Sequence, residues 1–250
     1  MLKVEHLTKV YDGGVVALED VSFEVEDGDF MAVIGLSGSG KSTLLRCINR
    51  LVEPTEGRIT WNGEDITTAS QEELRRIRRR IGMVFQHFNL VHRSKVTTNV
   101  LSGRLGYTNP AMSIINRFSR ADVDRSKEQL ERVGLSDRST HRADELSGGQ
   151  QQRVGIARAM MQEPDMILAD EPVASLDPVL AHSIMQYLEQ INQEFGVTVL
   201  CSLHFLDLVQ AYSQKVIALF DGRLVFEGTA KEIDDEKFKD IYGQEAERVG

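Results

Sequence analysis

The stretch Phe30-Met31-Ala32-Val33-Ile34-Gly35-Leu36-Ser37-Gly38-Ser39-Gly40-Lys41-Ser42 decides the fold. Five apolar residues with no polar interruption, closed by a glycine, read as a short strand buried on both faces. Leu44 to Leu51 then reads as a helix. Between them, residues 35–42 satisfy G-x-x-x-x-G-K-[ST] at every defined position, in the strand–loop–helix setting that this pattern requires. Glycines let successive backbone N–H groups turn inward around phosphate oxygens with no Cβ in the way. The start of the helix adds unpaired donors and a partial positive charge. Lys41 is long enough to reach a β- or γ-phosphate, and the Ser42 hydroxyl can hold Mg²⁺. The stretch therefore implies a nucleotide.

A second string answers the first. Met166-Ile167-Leu168-Ala169-Asp170-Glu171 is an apolar strand that ends in two carboxylates. Ligands of an open α/β sheet sit at the carboxyl ends of its strands, so this pair is expected to face the phosphate loop. Asp170 is the expected Mg²⁺ partner, and Glu171 is placed to polarise a water for attack on the γ-phosphorus. Around these strings, Met1 to Val10 and Val15 to Val25 read as strands joined by Asp12-Gly13-Gly14, and Gly57 to Trp61 as a strand before Asn62-Gly63. Glu72 to Arg80 reads as a charged helix leading into a strand over Gly82 to Phe85. From about Ser94 to Gln162 the pattern is helical, with Val123, Leu130 and Val133 on one face. Thr198 to Leu203 reads as a strand after a helix over Val179 to Glu194, and Asp221-Gly222 joins a hairpin of Val216 to Phe220 and Leu224 to Phe226. Strands alternating with helices imply a mostly parallel α/β sheet, with an antiparallel start and a helical middle added to it.

Composition narrows the function classes. The chain has 250 residues, 29 basic and 38 acidic side chains, and a net charge of −9, the wrong sign for a protein whose main partner is a nucleic acid. Its longest apolar runs, Phe30 to Ile34 and Val216 to Phe220, fall far below the ~20 residues of a membrane-spanning helix. The opening MLKVEHLTKVYDGG carries no signal-like apolar segment, and a cytoplasmic location is expected. Cys47 and Cys201 cannot form a disulfide framework or a metal site and are expected to be reduced core thiols. Arg75, Arg76, Arg78, Arg79 and Arg80 read as a solvated helix face beside Glu72 and Glu73. His6, His87, His92, His141 and His182 show no ligand spacing and are expected at the surface, and Trp61 is expected in the core.

One further string lies between the two nucleotide motifs. Leu146-Ser147-Gly148-Gly149-Gln150 resembles the signature of the ATP-binding-cassette ATPases, and the resemblance extends over essentially the whole chain. It implies an α/β P-loop NTPase with a RecA-like core, an N-terminal antiparallel β subdomain and a helical signature subdomain. Residues 1–250 would then be one ATPase domain, with about 91–159 as the helical part and about 1–90 and 160–250 as the core and β part. ATP and Mg²⁺ are the implied cofactors. The resemblance places Tyr11 against adenine and Gly35, Leu36, Ser37, Gly38, Ser39, Gly40, Lys41, Ser42 and Thr43 around the phosphates. Gln86 matches the glutamine that senses Mg²⁺ and the attacking water, and His204 the histidine that contacts the γ-phosphate. Ser175-Leu176-Asp177 matches a loop that crosses a dimer interface. Ser147, Gly148, Gly149 and Gln150 open a helix and so offer phosphate a second set of N–H donors. In such proteins they serve the ATP of a second copy, in a head-to-tail homodimer.

With one cassette, no fused span and no long coiled coil, the chain resembles a separate importer subunit that docks on transmembrane permease subunits at the cytoplasmic face of the membrane. A periplasmic or lipid-anchored solute-binding protein would complete such a complex. Phe85 to Val91 resembles both polar amino-acid and phosphonate import cassettes. Gly103 to Tyr107 with the following insert, Asp170 to Pro178, Ser202-Leu203-His204 with Asp207-Leu208, and Ile241-Tyr242-Gly243 resemble the phosphonate type. His92, Ser94, Lys95, Thr97 and Thr98 depart from that type, on the surface expected to meet the membrane partner. Phosphonate import is the expectation, with polar amino-acid import and then a non-transport cassette as the alternatives.

Overall fold

Strand β3 (Phe30–Ile34) is buried at all five positions, and its alternation divides the interior in two. Phe30, Ala32 and Ile34 pack on one side, Met31 and Val33 on the other. Such a strand needs cover on both faces, and helices with a second sheet provide it. The computed structural model describes residues 1–109, 112, 117–174, 176–233, 237 and 241. Within them β3 is central to a six-stranded sheet of order β10-β9-β3-β8-β7-β6. Its members are β6 (Ile81–Val84), β7 (Met166–Ala169), β8 (Thr198–Ser202), β9 (Lys215–Phe220) and β10 (Arg223–Thr229). All pairings are parallel except the β9–β10 hairpin. A second, antiparallel sheet runs β2-β1-β4-β5, from β1 (Leu2–Val10), β2 (Val16–Val25), β4 (Glu56–Trp61) and β5 (Glu64–Asp65).

Helices α1 (Lys41–Ile48) and α2 (Gln71–Arg79) share the core between the two sheets with Met31, Val33 and Trp61. The opposite face of the large sheet is covered by α6 (Pro178–Phe195) and α7 (Leu206–Tyr212), through Ile184, Leu188 and Val209. A third cluster belongs to α3 (Val96–Leu101), α4 (Arg120–Arg132) and α5 (Gly148–Met160), with Val100, Leu130, Val133 and Val154 buried and Val123 packed against them. The periodicity of Val123, Leu130 and Val133 marks that contact, as expected. Trp61 is 1% exposed and lies under the Arg80 guanidinium at 4.7 Å, a core residue with a cation on its outer face.

Three sequence expectations need revision. Helix α1 starts at Lys41 rather than Leu44, because Gly40 turns the chain directly from the loop into the helix. The Arg75–Arg80 run is not simply a solvated face balanced by Glu72 and Glu73. Arg78 donates to the carbonyls of Asn49 and Arg50 at 3.0 and 2.6 Å, closing the C-terminal end of α1. Arg76 and Arg80 pair with Glu64 and Asp165, while Glu73 is engaged in a capping box with Ser70. His141 is half-buried rather than a surface residue, whereas His6, His87, His92 and His182 are exposed. Both thiols are free and buried, and burial pushes Cys47 up to about 12, so neither is poised to react. Ser175, Tyr242, Gly243 and most of the insert after Tyr107 lie outside the described residues.

Candidate nucleotide site

Strand register assembles the site. Val33 of β3 pairs with Ser202 of β8, Ala169 of β7 with Cys201 of β8, and Val84 of β6 with Ala169. The residues that follow these strands therefore leave the sheet along one edge: Gly35 to Ser42, Asp170-Glu171, Phe85-Gln86 and Leu203-His204. This is the carboxyl edge where an open α/β sheet binds its ligand. Lys41, Ser42, Gln86 and Glu171 line one open cleft of about 260 Å³ with Ser37, Gly38 and Gly40.

Lys41 is 3% exposed and donates to the carbonyls of Gly35 and Leu36 at 2.8 and 2.9 Å. Its Nζ lies 3.8 Å from Glu171 Oε1. Burial pulls its ammonium below the ordinary lysine range, and the Glu171 and Asp170 carboxylates pull it back up. The Ser39 hydroxyl is buried in the loop with no hydrogen-bond partner among the described residues, an unsatisfied donor inside a phosphate-shaped turn.

Asp170 is fully buried. Its Oδ1 accepts from Ser42 Oγ at 2.7 Å, and its Oδ2 from Arg46 Nη2 at 3.2 Å. Glu171 follows at φ +47°, and its carboxylate is held from two sides. Gln86 Nε2 donates to Oε2 at 2.7 Å, and His204 Nε2 lies 2.5 Å from Oε1. Gln86, Glu171 and His204 are thus brought together, with His204 turned to Glu171. Beside the Arg46 guanidinium, the oxygens at this point are the Asp170 carboxylate and the Ser42 hydroxyl, and the Gln86 side-chain amide lines the same cleft as Ser42. Those are hard oxygen ligands in the small number that Mg²⁺ takes from protein when phosphates and water complete its shell, so the residues fit that ion. No group of three His, Cys, Asp or Glu side chains able to cage a metal occurs among the described residues.

The other candidates lie farther out. Tyr11 is 39% exposed, and its hydroxyl is 3.4 Å from Thr43 Oγ1, at the rim beside α1. Ser147 and Gln150 cap α5 reciprocally: Gln150 Oε1 accepts from the Ser147 N–H and Ser147 Oγ from the Gln150 N–H. A Cβ on Gly149 would lie 3.0 Å from Leu180 Cδ1 of α6, and one on Gly148 3.7 Å from Leu176 Cδ2. Asp177 Oδ1 accepts from Leu180 N at 3.1 Å and caps α6, so the signature and the Asp177 turn are neighbours. Two contacts went unread in the sequence: Arg46 on Asp170, and Ser202, whose hydroxyl takes the Glu171 N–H at 2.7 Å. The available signal for Ser202 was a polar residue closing an apolar strand.

A phosphate loop after β3, an acidic pair after β7, and a glutamine and a histidine on that pair define a P-loop nucleotide hydrolase. More narrowly, the chain belongs to the ABC transporter family, which its residues 18–174 match. It is 52% identical over 250 residues to the phosphonates import ATP-binding protein PhnC of Bdellovibrio bacteriovorus, covering 100% of this chain and 96% of that one. It is 50% identical over 252 residues to the PhnC of Staphylococcus saprophyticus, covering 100% and 98%. Among solved structures, a dimeric bacterial ABC transporter cassette superposes with a TM-score of 0.83 at 34% identity, covering 93% of this chain and 100% of that one. A dimeric post-hydrolysis cassette bound to ADP and Pi gives a TM-score of 0.81 at 35% identity, covering 93% and 100%.

Proposed function

We propose that this chain is the ATP-hydrolysing subunit of an importer for phosphonates or closely related phosphorus oxyanions. The observation that carries the reading is identity of about half over full length with import ATP-binding proteins so named, in a chain whose phosphate loop and acidic pair are complete. In this reading ATP lies with adenine against Tyr11 and Thr43 near its phosphates. The backbone N–H groups of residues 35–42 hold the β- and γ-phosphates, and Lys41 exchanges its two loop carbonyls for phosphate oxygens. Ser42, Asp170 and Gln86 would hold Mg²⁺, which supplies charge neutralisation on the phosphate oxygens when bound. Glu171 accepts a proton from the attacking water as the water oxygen bonds to the γ-phosphorus. The bond to the bridging oxygen breaks, and ADP and phosphate leave. Gln86 and His204 keep the Glu171 carboxylate aimed at that water.

Two copies are proposed to pair head to tail, so that Ser147, Gly148, Gly149, Gln150 and Asp177 of one close over the ATP of the other. Among the described residues no helix is long and apolar enough to cross a membrane. Attachment to the cytoplasmic face through permease subunits, with a solute-binding protein outside, completes the proposal. The test is a gene deletion in cells given a phosphonate as sole phosphorus source. Loss of growth with amino-acid uptake intact supports the reading; normal phosphonate growth with impaired amino-acid uptake moves the assignment to polar amino-acid import.

A further inference from the structure

The turn that carries Glu171 hangs from the end of β8. A φ of +47° is uncommon for a residue with a side chain, and it persists only where the surroundings impose it. The side chain that meets the main chain of this residue is that of Ser202. Its Oγ accepts the Glu171 N–H at 2.7 Å, across 31 residues of chain and one parallel strand pairing. Ser202 is 0% exposed, so its hydroxyl has no water to substitute for the Glu171 N–H. The hydroxyl has one proton of its own to give. Two acceptors lie at 3.5 Å, the Ala169 carbonyl and Asp170 Oδ1, and the latter already accepts from Ser42 at 2.7 Å. Two residues beyond Ser202, His204 meets the carboxylate of the same Glu171 at 2.5 Å. The end of β8 therefore grips Glu171 twice, by its main chain through Ser202 and by its carboxylate through His204.

We propose that Ser202 is a positioning residue for ATP hydrolysis: its buried hydroxyl locks the Glu171 backbone in the left-handed turn that aims the carboxylate at the Gln86 and His204 side chains. The proposal rests on the reading of Glu171 as the base that activates water. Without the hydroxyl, the Glu171 N–H loses this partner, and the peptide plane can rotate to find another. That rotation swings the carboxylate, not the phosphate loop. Nucleotide binding is unaffected, and the hydrolytic step slows.

The experiment compares the full chain with Ser202→Ala, Ser202→Thr, Ser202→Cys, Glu171→Gln and the Ser202→Ala/Glu171→Gln pair. Steady-state ATPase kinetics are read beside binding of a fluorescent nucleotide and thermal melting. Small misplacement of a catalytic group costs on the order of 10- to 100-fold in rate, and that is the expected fall in kcat for Ser202→Ala, with KM and nucleotide affinity within about twofold. Ser202→Thr, which keeps the hydroxyl, recovers most of the rate. Ser202→Cys nearly keeps the volume but is a weak acceptor, and it behaves as Ala does, so the result stands even if the alanine variant folds poorly. Because Ser202 acts through Glu171, the double variant is no slower than Glu171→Gln alone. A Ser202→Ala kcat close to that of the unmodified chain, with Glu171→Gln inactive, overturns the role of Ser202 and leaves that of Glu171 standing. Equal losses from Ser202→Ala in both backgrounds also overturn it, since they mark a general packing effect. Undiminished hydrolysis by Glu171→Gln removes the Glu171 reading, and this proposal with it.

Discussion

Two glycines of the phosphate loop are required for different reasons, and alanine separates them. Gly38 sits at φ +82° with nothing within 4 Å of the place a Cβ would take. Gly40 sits at φ +105°, and there a Cβ would come 2.5 Å from the Ala17 carbonyl oxygen and 2.9 Å from Leu18 Cδ2. Ordinary contact begins near 3.4 Å. Leu18 is fully buried and Ala17 belongs to β2, so neither yields freely. The N-terminal end of α1 must therefore lift by about 0.9 Å, the difference between 3.4 and 2.5 Å. Gly38→Ala should carry only the left-handed strain, about 1–2 kcal/mol. Gly40→Ala adds an overpacking term of about 1–3 kcal/mol, for about 2–5 kcal/mol together. At roughly 2–4 °C per kcal/mol for a chain of this size, the first variant melts about 2–8 °C lower and the second about 4–20 °C lower. The assay is thermal unfolding of the nucleotide-free chain by far-UV circular dichroism. Fluorescent-nucleotide titration beside it should show affinity falling with the helix lift, since charge-assisted phosphate bonds weaken steeply with geometry. Identical melting temperatures for the two variants would refute the close approach of α1 to β2.

Glu171→Gln keeps the volume of the side chain but cannot take a proton from water, so turnover should fall by about 10²- to 10⁴-fold while ATP binding persists; phosphate release from the purified variant decides it. A Lys41→Ala chain mixed with a Ser147→Arg chain should regain ATPase activity that neither has alone, because a mixed head-to-tail dimer contains one site with both motifs intact. No recovery, in a mixture that light scattering shows to dimerise with ATP, would argue against the shared site unless both sites must fire together.

What was legible in the sequence is what a short string can carry. Residues 35–42 and 170–171 are contiguous, and each lies at a strand end recognisable from five or fewer apolar residues, so their place at the carboxyl edge of the sheet could be read directly. Trp61 was read correctly because a strand ending in a turn has one buried face. The α1 start was missed because a helix can begin at a left-handed glycine without an acidic or hydroxyl cap to announce it. The fate of the arginines was missed for another reason. Arg78 meets carbonyls 28 and 29 residues away, and Arg46 meets Asp170 at a separation of 124, and no local pattern encodes such partners.

The same distinction explains where the candidate chemistry is most sensitive. Each loop was readable by itself, but their convergence depends on pairing: Val33 with Ser202, Ala169 with Cys201, Val84 with Ala169. A slip of one residue between β7 and β8 would turn every side chain of one strand to the opposite core. Ile167 and Ala169 would exchange sides with Met166 and Leu168, which pack against different helices. The two apolar layers forbid that slip. In forbidding it they also fix Ser202 under the Glu171 N–H and place His204 beside its carboxylate. The burial pattern of four short strands thus sets the geometry of the Glu171 carboxylate as surely as its own neighbours do. A core substitution that loosens the β7–β8 register should consequently lower hydrolysis before it lowers nucleotide binding, because the phosphate loop follows β3 and is braced separately by β2 and α1.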